Sequence, residues 1–280
     1  MSAATRIVDF DRAYDNSGAV EGAPRFAERW RGEAEAFRAA MSARGRIRPD
    51  IAYGPGERNR FDLFLPEETP AGLCIYIHGG YWKAFDKSVW SHLARGSLER
   101  GFAVAIPSYT LCPEIRVGGI VQEIGQFLDR AAAEIEGPIH VAGHSAGGHL
   151  ATRMGASGAP IAQGTAARLA AIVSISGVHD LRPIQRTRMN EILRIDPAEA
   201  LAESPALLEP AVDVPVTAYV GGAELPEFRR QAAFLASAWH GLGARIACVE
   251  ADGRHHFDVV EDLADPGSPL TRLLTGASPA

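Results

Sequence analysis

From about residue 70 onward the chain alternates short, almost unbroken apolar runs with longer amphipathic stretches. The runs are Leu73–Ile77, Phe102–Ile106, Ile139–Ala142, Ala171–Ile175, Val216–Val220 and Arg245–Val249. Most are apolar at nearly every position. Strands buried on both faces read this way, and both faces are covered when helices flank a parallel sheet. Helical spacing marks Lys87–Arg100, Val117–Ile135, Ser145–Gly155 and Glu227–Leu242 between the runs. The alternation predicts an α/β fold with a mostly parallel central sheet and helices on both faces. Upstream, Phe26, Trp30, Ala34, Phe37 and Met41 recur at three- to four-residue steps, predicting a helix over Ala23–Ser42 whose stripe docks on the core. Asp50–Leu65 is strand-like and broken by the turn residues Gly54, Pro55 and Gly56. Gly155–Ala166 reads as a surface loop, and Leu181–Val212 as a long, partly helical excursion. Insertions at that end of a strand commonly build binding sites. No internal repeat is visible. The expected organisation is one domain over 1–280, with 1–22 as an N-terminal segment and 181–212 as an insertion contributing to the pocket.

Composition narrows the function. Over 280 residues, 46% hydrophobic and 22% charged content fits a globular chain with a sizeable core. The formal charge of −6 argues against a nucleic-acid partner, which usually calls for a basic surplus. No apolar run approaches the roughly 18 residues that span a bilayer. Met1–Tyr14 is interrupted by Arg6, Asp9, Asp11 and Arg12 and does not read as a secretory signal. The three cysteines, Cys74, Cys112 and Cys248, are odd in number and far apart, so neither a disulfide framework nor a zinc site is expected. A cytoplasmic setting, a small-molecule substrate, no metal and no cofactor follow as expectations. A homodimer stays open. The small, polar tail Thr275–Ala280 is expected to fray.

Three loops carry the chemistry. The run Ile139–Ala142 leads straight into Gly143-His144-Ser145-Ala146-Gly147 and then a helix, the strand–turn–helix context a G-x-S-x-G nucleophile requires. Leu73–Ile77 ends in His78-Gly79-Gly80-Tyr81-Trp82, where paired glycines let backbone N–H groups approach a developing oxyanion. The oxyanion hole is therefore placed on the Gly79, Gly80 and Tyr81 loop, with the N–H groups of Gly80, Tyr81 and Ala146 as donors. His78 reads as a brace for that loop. In this architecture the acid and then the histidine follow the last two strands. Val216–Val220 leads to Glu224 and Glu227, and Arg245–Val249 leads to His255 and His256. His256 is taken as the base and Glu224 as the acid, with Glu227 as the alternative. Trp82, Phe85 and Tyr109, next to the motif loops, are candidates for the aromatic side of a substrate pocket.

These segments together resemble the α/β-hydrolase superfamily, and within it the kynurenine formamidase (arylformamidase) family of the hormone-sensitive-lipase-like group. His78-Gly79-Gly80-Tyr81-Trp82 looks like that family's H-G-G-x-W signature, and Gly143 to Leu150 like its nucleophile segment. Ile175 to Pro183, Glu203-Ser204-Pro205, Glu227 to Gln231 and His256-Phe257 are also similar, as is an early Tyr14-Asp15-Asn16. The family often has aspartate where Glu224 stands. The resemblance implies a serine hydrolase that cleaves N-formyl-L-kynurenine to kynurenine and formate, a step of tryptophan catabolism. A carboxylesterase acting on small acyl esters is the alternative, because fold and triad do not fix a substrate.

Overall fold

The computed structural model describes residues 6–276. Its strands are β1 (Ile47–Ala52), β2 (Arg60–Phe64), β3 (Leu73–Ile77), β4 (Ala103–Pro107), β5 (Ile139–His144), β6 (Leu169–Ile175), β7 (Val216–Gly221) and β8 (Ile246–Ala251). They form one eight-stranded sheet in the order β1-β2-β4-β3-β5-β6-β7-β8. The β1–β2 and β2–β4 pairs are antiparallel, and every other pair is parallel.

The two-residue alternation of side chains along each strand sorts the core into two layers. Cys74 and Tyr76 of β3 enter the layer where Trp30, Phe37 and Met41 of α1 (Ala23–Ala43) pack. Leu73, Ile75 and Ile77 enter the opposite layer. The same layer holds α2 (Val117–Ala132), α3 (Ala146–Arg153) and α4 (Pro226–Gly241), the last contributing Phe228, Leu235 and Trp239. This is the mostly parallel sheet with helices on both faces that the sequence pattern predicted, and it agrees with the α/β-hydrolase fold that the resemblance implies.

Three expectations need correction. Lys87–Arg100 is not one helix but a 3₁₀ segment over Lys87–Ala94 followed by an α-helical turn over Arg95–Glu99. All residues of Lys87–Ala94 except Ser88 are buried, so the segment runs inside its layer instead of presenting one apolar face. The last apolar run is not doubly buried: β8 closes one edge of the sheet, and Ala247, Cys248 and Glu250 are exposed. Fraying does not begin at Thr275, which is buried and accepts a hydrogen bond from Arg100 Nε at 2.6 Å; positions 277–280 of the tail lie outside the described residues.

A buried charge cluster locks β2 to the 3₁₀ segment. Asp62 is wholly buried, and Lys87 Nζ reaches its Oδ1 at 2.8 Å and Asp50 Oδ1 at 2.7 Å. Arg38 of α1 donates to the other Asp62 oxygen. Removing the buried Asp62 leaves Arg38 without its carboxylate and the nearly buried Lys87 with only the exposed Asp50, and breaking a buried pair in this way typically costs about 3–5 kcal/mol. Asp62→Ala is therefore expected to lower unfolding stability by about that amount. Urea denaturation checks this, and the slope of the transition should stay near that of the parent.

Candidate active site

The sharp bend after β5 exists because two glycines leave room for it. A Cβ on Gly143 would lie 2.0 Å from Gly147 O, and one on Gly147 would lie 2.0 Å from Ile77 O. Between them Ser145 takes φ +56°, ψ −118°, outside the regions L-residues favour, and stands at the N-cap of α3. Held strain of this kind costs about 1–3 kcal/mol and concentrates at functional sites. Ala146 follows as the first residue of α3, where a backbone N–H has no intrahelical acceptor.

The loop after β3 is bent in the same sense. Gly80, Tyr81 and Trp82 have φ of +110°, +48° and +55° in succession. Successive N–H groups in such turns form a concave nest suited to an anion. Neither the Gly80 nor the Tyr81 N–H makes a hydrogen bond among the described residues. Gly79 packs beneath the elbow, where an added Cβ would meet His144 O at 2.8 Å and Ser145 Cβ at 3.0 Å.

After β8 the chain delivers His256, which is buried. Its Nδ1–H donates to Glu224 Oε2 at 2.7 Å, leaving Nε2 as the unprotonated ring nitrogen. Glu224 Oε1 accepts from Ser176 Oγ at 2.5 Å and from the Gly221 N–H at 2.8 Å. The carboxylate, with no exposed side-chain surface, is thus fixed by three donors. Ser176 itself sits at φ +52° in the turn after β6. The His256 ring lies 4.7 Å from that of His144 and 4.5 Å from that of Phe228. His144 Nε2–H donates to His256 O at 2.9 Å, tying the residue before Ser145 to the histidine loop. Ser145 and His256 line the same cavity, and no hydrogen bond joins them in this structure. Such bonds are often long without substrate. Glu227 goes elsewhere: it accepts from Tyr14 Oη and from both Arg230 Nε and Nη2. The geometry therefore separates the two candidate acids, and Glu224 is the one on His256.

The other histidines of the two motifs are braces. Burial lowers His78 and His149 to about 4, so both stay neutral. His78 donates from Nδ1 to Gly79 O at 2.7 Å and stacks on Tyr109. His149 accepts from Trp82 Nε1 at 3.3 Å and donates from Nε2 to Glu203 O at 2.6 Å, linking the glycine loop to the 181–212 insertion through α3.

The cavity above Ser145 measures about 700 Å³, within the usual range for small-molecule sites. Gly80, Tyr81, Lys83 and Phe85 form one wall, and Trp30, Trp90 and Phe257 supply aromatic surface. The insertion contributes Arg188 and Met189. Ala23, Pro24 and Ala27 of α1, together with Asp9, Asp11, Arg12 and Tyr14 to Ser17, line another side, so the N-terminal region forms part of the pocket wall. Of the three aromatic candidates, Phe85 lies on this wall. Trp82 and Tyr109 do not: both are fully buried, with Trp82 committed to His149 and Tyr109 Oη donating to His78 O at 2.9 Å. Their polar atoms are used inside the scaffold, so they support the glycine loop from behind. Sequence reasoning also missed Ser176, His144 and Phe228 as neighbours of the Glu224–His256 pair. The available signal was that all three lie in segments resembling the family, Ser176 in the serine–glycine turn directly after β6, but nothing in those segments assigned them a contact.

No helix among the described residues is long and apolar enough to cross a membrane. The BD-FAE family model matches residues 61–217, more than half of the chain, and covers both the glycine loop and the Ser145 elbow. The chain is 29% identical to kynurenine formamidase from Danio rerio over 235 residues, 80% of each protein. It is 29% identical to kynurenine formamidase from Drosophila melanogaster over 239 residues, 80% of this chain and 79% of the relative. Among solved structures, a protein from Silicibacter sp. TM1040, provisionally described as a thioesterase, is 48% identical with a TM-score of 0.90, covering 95% of this chain and 99% of its own. The esterase from Pyrobaculum calidifontis, at 17% identity and a TM-score of 0.65 over 95% of both chains, shares the fold. The chain belongs to the BD-FAE family, and it is a hydrolase of the α/β-hydrolase fold, kynurenine-formamidase-like in sequence.

Proposed function

We propose that the protein is a serine hydrolase that cleaves aryl formamides of the N-formyl-L-kynurenine type through an acyl-enzyme. The observation that carries this reading is the 2.7 Å bond from His256 Nδ1 to Glu224, which turns the other ring nitrogen into a base on the cavity that Ser145 lines. Ser145 Oγ attacks the formyl carbon while His256 Nε2 takes its proton. The oxyanion is held by the N–H groups of Gly80, Tyr81 and Ala146. Glu224 keeps the ring oriented and stabilises the imidazolium. His256 then protonates the departing aniline nitrogen, leaving formyl-Ser145. Water attacks that ester with His256 as base, and formate leaves. The formamide reading draws on the relatives named kynurenine formamidase and on a cavity far larger than a formyl group needs, with aromatic walls for the leaving group.

The mouth suits a charged substrate. Asp9, Asp11, Arg12, Asp15, Lys83 and Arg188 all line it. Arg188 is engaged by Asp11 at 2.9 Å, whereas Lys83 makes no ion pair among the described residues. A kynurenine-type substrate carries a carboxylate that Lys83 would meet. A charge-assisted contact contributes about 1.5 kcal/mol, roughly tenfold in affinity. Lys83→Met is therefore expected to lower the ratio of kcat/KM on N-formyl-L-kynurenine to that on p-nitrophenyl acetate about tenfold.

The test of substrate class is a parallel measurement of kcat/KM on N-formyl-L-kynurenine, on p-nitrophenyl esters of rising acyl length and on acyl thioesters. A formamide value well above all the others supports the reading. A higher value on esters or thioesters of longer acyl chains assigns the protein to the esterase alternative instead.

A further inference from the structure

The N-terminal segment is fastened to the glycine loop by side chains that the mechanism does not use. Tyr81 Oη donates to the Tyr14 carbonyl at 2.7 Å and accepts from Asn16 Nδ2 at 3.3 Å. Tyr81 holds φ +48°, a conformation a tyrosine does not keep without support. Tyr14 is itself anchored: its side chain is buried, its Oη donates to Glu227 Oε1 at 2.6 Å, and it accepts from Gln231 Nε2 at 2.9 Å. Glu227 is clamped by Arg230, and Gln231 Oε1 receives the N–H groups of His179 and Asp180, both at 2.8 Å. The same turn of α4 carries Phe228, which packs on His256 at 4.5 Å and on Tyr14 at 5.9 Å between ring centroids. One helical turn thus fixes the histidine on one side and, through Tyr14, the Tyr81 backbone on the other.

We propose that Tyr14 and Asn16 are positioning residues that, through the Tyr81 hydroxyl, hold the oxyanion-binding backbone in place against the first turn of α4. The inference rests on the reading of Gly80, Tyr81 and Ala146 as oxyanion donors. Burial and the nearby Glu227 carboxylate push the Tyr14 hydroxyl well above its usual pKa, so it remains a donor across the working pH range. Displacement of a transition-state donor lowers turnover more than substrate binding.

The experiment uses the full chain and p-nitrophenyl acetate. Tyr81→Phe removes the hydroxyl and keeps the ring; it is expected to lower kcat about 10- to 100-fold with KM changed less than threefold. Affinity for an alkyl boronic acid, which mimics the tetrahedral intermediate, should fall in parallel, while the melting temperature stays close to that of the parent. Asn16→Ala should give a smaller loss of the same kind. Tyr14→Phe should lower kcat, and combining it with Tyr81→Phe should cost no more than Tyr81→Phe alone, because both act through one chain of contacts. Tyr81→Phe turnover within twofold of the parent, or strictly multiplicative losses in the double variant, would overturn the proposal. A loss of stability with kcat and boronate affinity unchanged would overturn it as well. Failure of the underlying reading looks different: the parent itself would then bind boronate no better than the Ser145→Ala variant does.

Discussion

Ser145→Ala is expected to lower kcat about 10⁶-fold, the scale seen when a serine nucleophile that works with a histidine is removed. The reasoning starts from the backbone. The elbow holds φ +56° through the close fit of Gly143 and Gly147, and neither constraint involves the hydroxyl. Alanine therefore inherits the same bend, and the thermal transition should move little. The residual activity should come from the glycine-loop donors and substrate binding alone. Steady-state kinetics on either substrate class, read beside a melting curve, checks both halves. A variant that retains more than about a hundredth of the parent's turnover would not fit a seryl nucleophile.

Glu224→Gln is expected to lower kcat about 10⁴-fold. Glu224 Oε1 and Oε2 receive hydrogen bonds from Ser176, Gly221 and His256. An amide of the same shape cannot accept at both ends. If its NH₂ meets the ring, it donates to Nδ1 and drives the proton to Nε2, the atom that must take the Ser145 proton. If its carbonyl meets the ring, the NH₂ is forced against the Gly221 N–H, a clash of donors. Either way the base is lost or misplaced while the hydrophobic core is untouched. Glu227→Gln serves as the contrast. Its carboxylate holds Tyr14 and Arg230, so the change should affect stability and, through the Tyr14 contact, turnover by a much smaller factor. A larger loss for Glu227→Gln than for Glu224→Gln would reverse the assignment.

The parts of this molecule that were legible in the sequence are those written in local patterns. Doubly apolar runs mark β3 to β7 because parallel strands are covered on both sides, and the strand–turn–helix glycines around Ser145 fix the elbow by steric exclusion alone. Glu224 and His256 are placed by chain order, since β7 and β8 follow β5 and β6 in the sheet and their C-terminal ends lie on the same sheet edge as the Ser145 elbow. Aromatic neighbours misled where adjacency stood in for direction. Trp82 and Tyr109 lie next to motif loops, yet they turn inward because the indole and phenol each have a polar partner in the scaffold, His149 and the His78 carbonyl. The β8 run reads as doubly buried in the sequence because edge position is a property of the whole sheet, not of one run. The N-terminal contribution was hidden for another reason. Tyr14 meets Glu227 and Gln231 across more than two hundred residues of sequence, and no periodicity connects such segments. Arg188 and Asp11 pair in the same long-range way.

The central claim is that one hydroxyl, that of Ser145, becomes the nucleophile because the Glu224-oriented His256 takes its proton. The most direct measurement is to treat the parent, Ser145→Ala and His256→Ala with a fluorophosphonate and locate the adduct by peptide mass spectrometry. The account predicts complete modification of the parent at Ser145 alone, none of Ser145→Ala, and strongly slowed modification of His256→Ala. Adduct on another residue, or a parent that hydrolyses substrate while Ser145 stays unmodified, would contradict it.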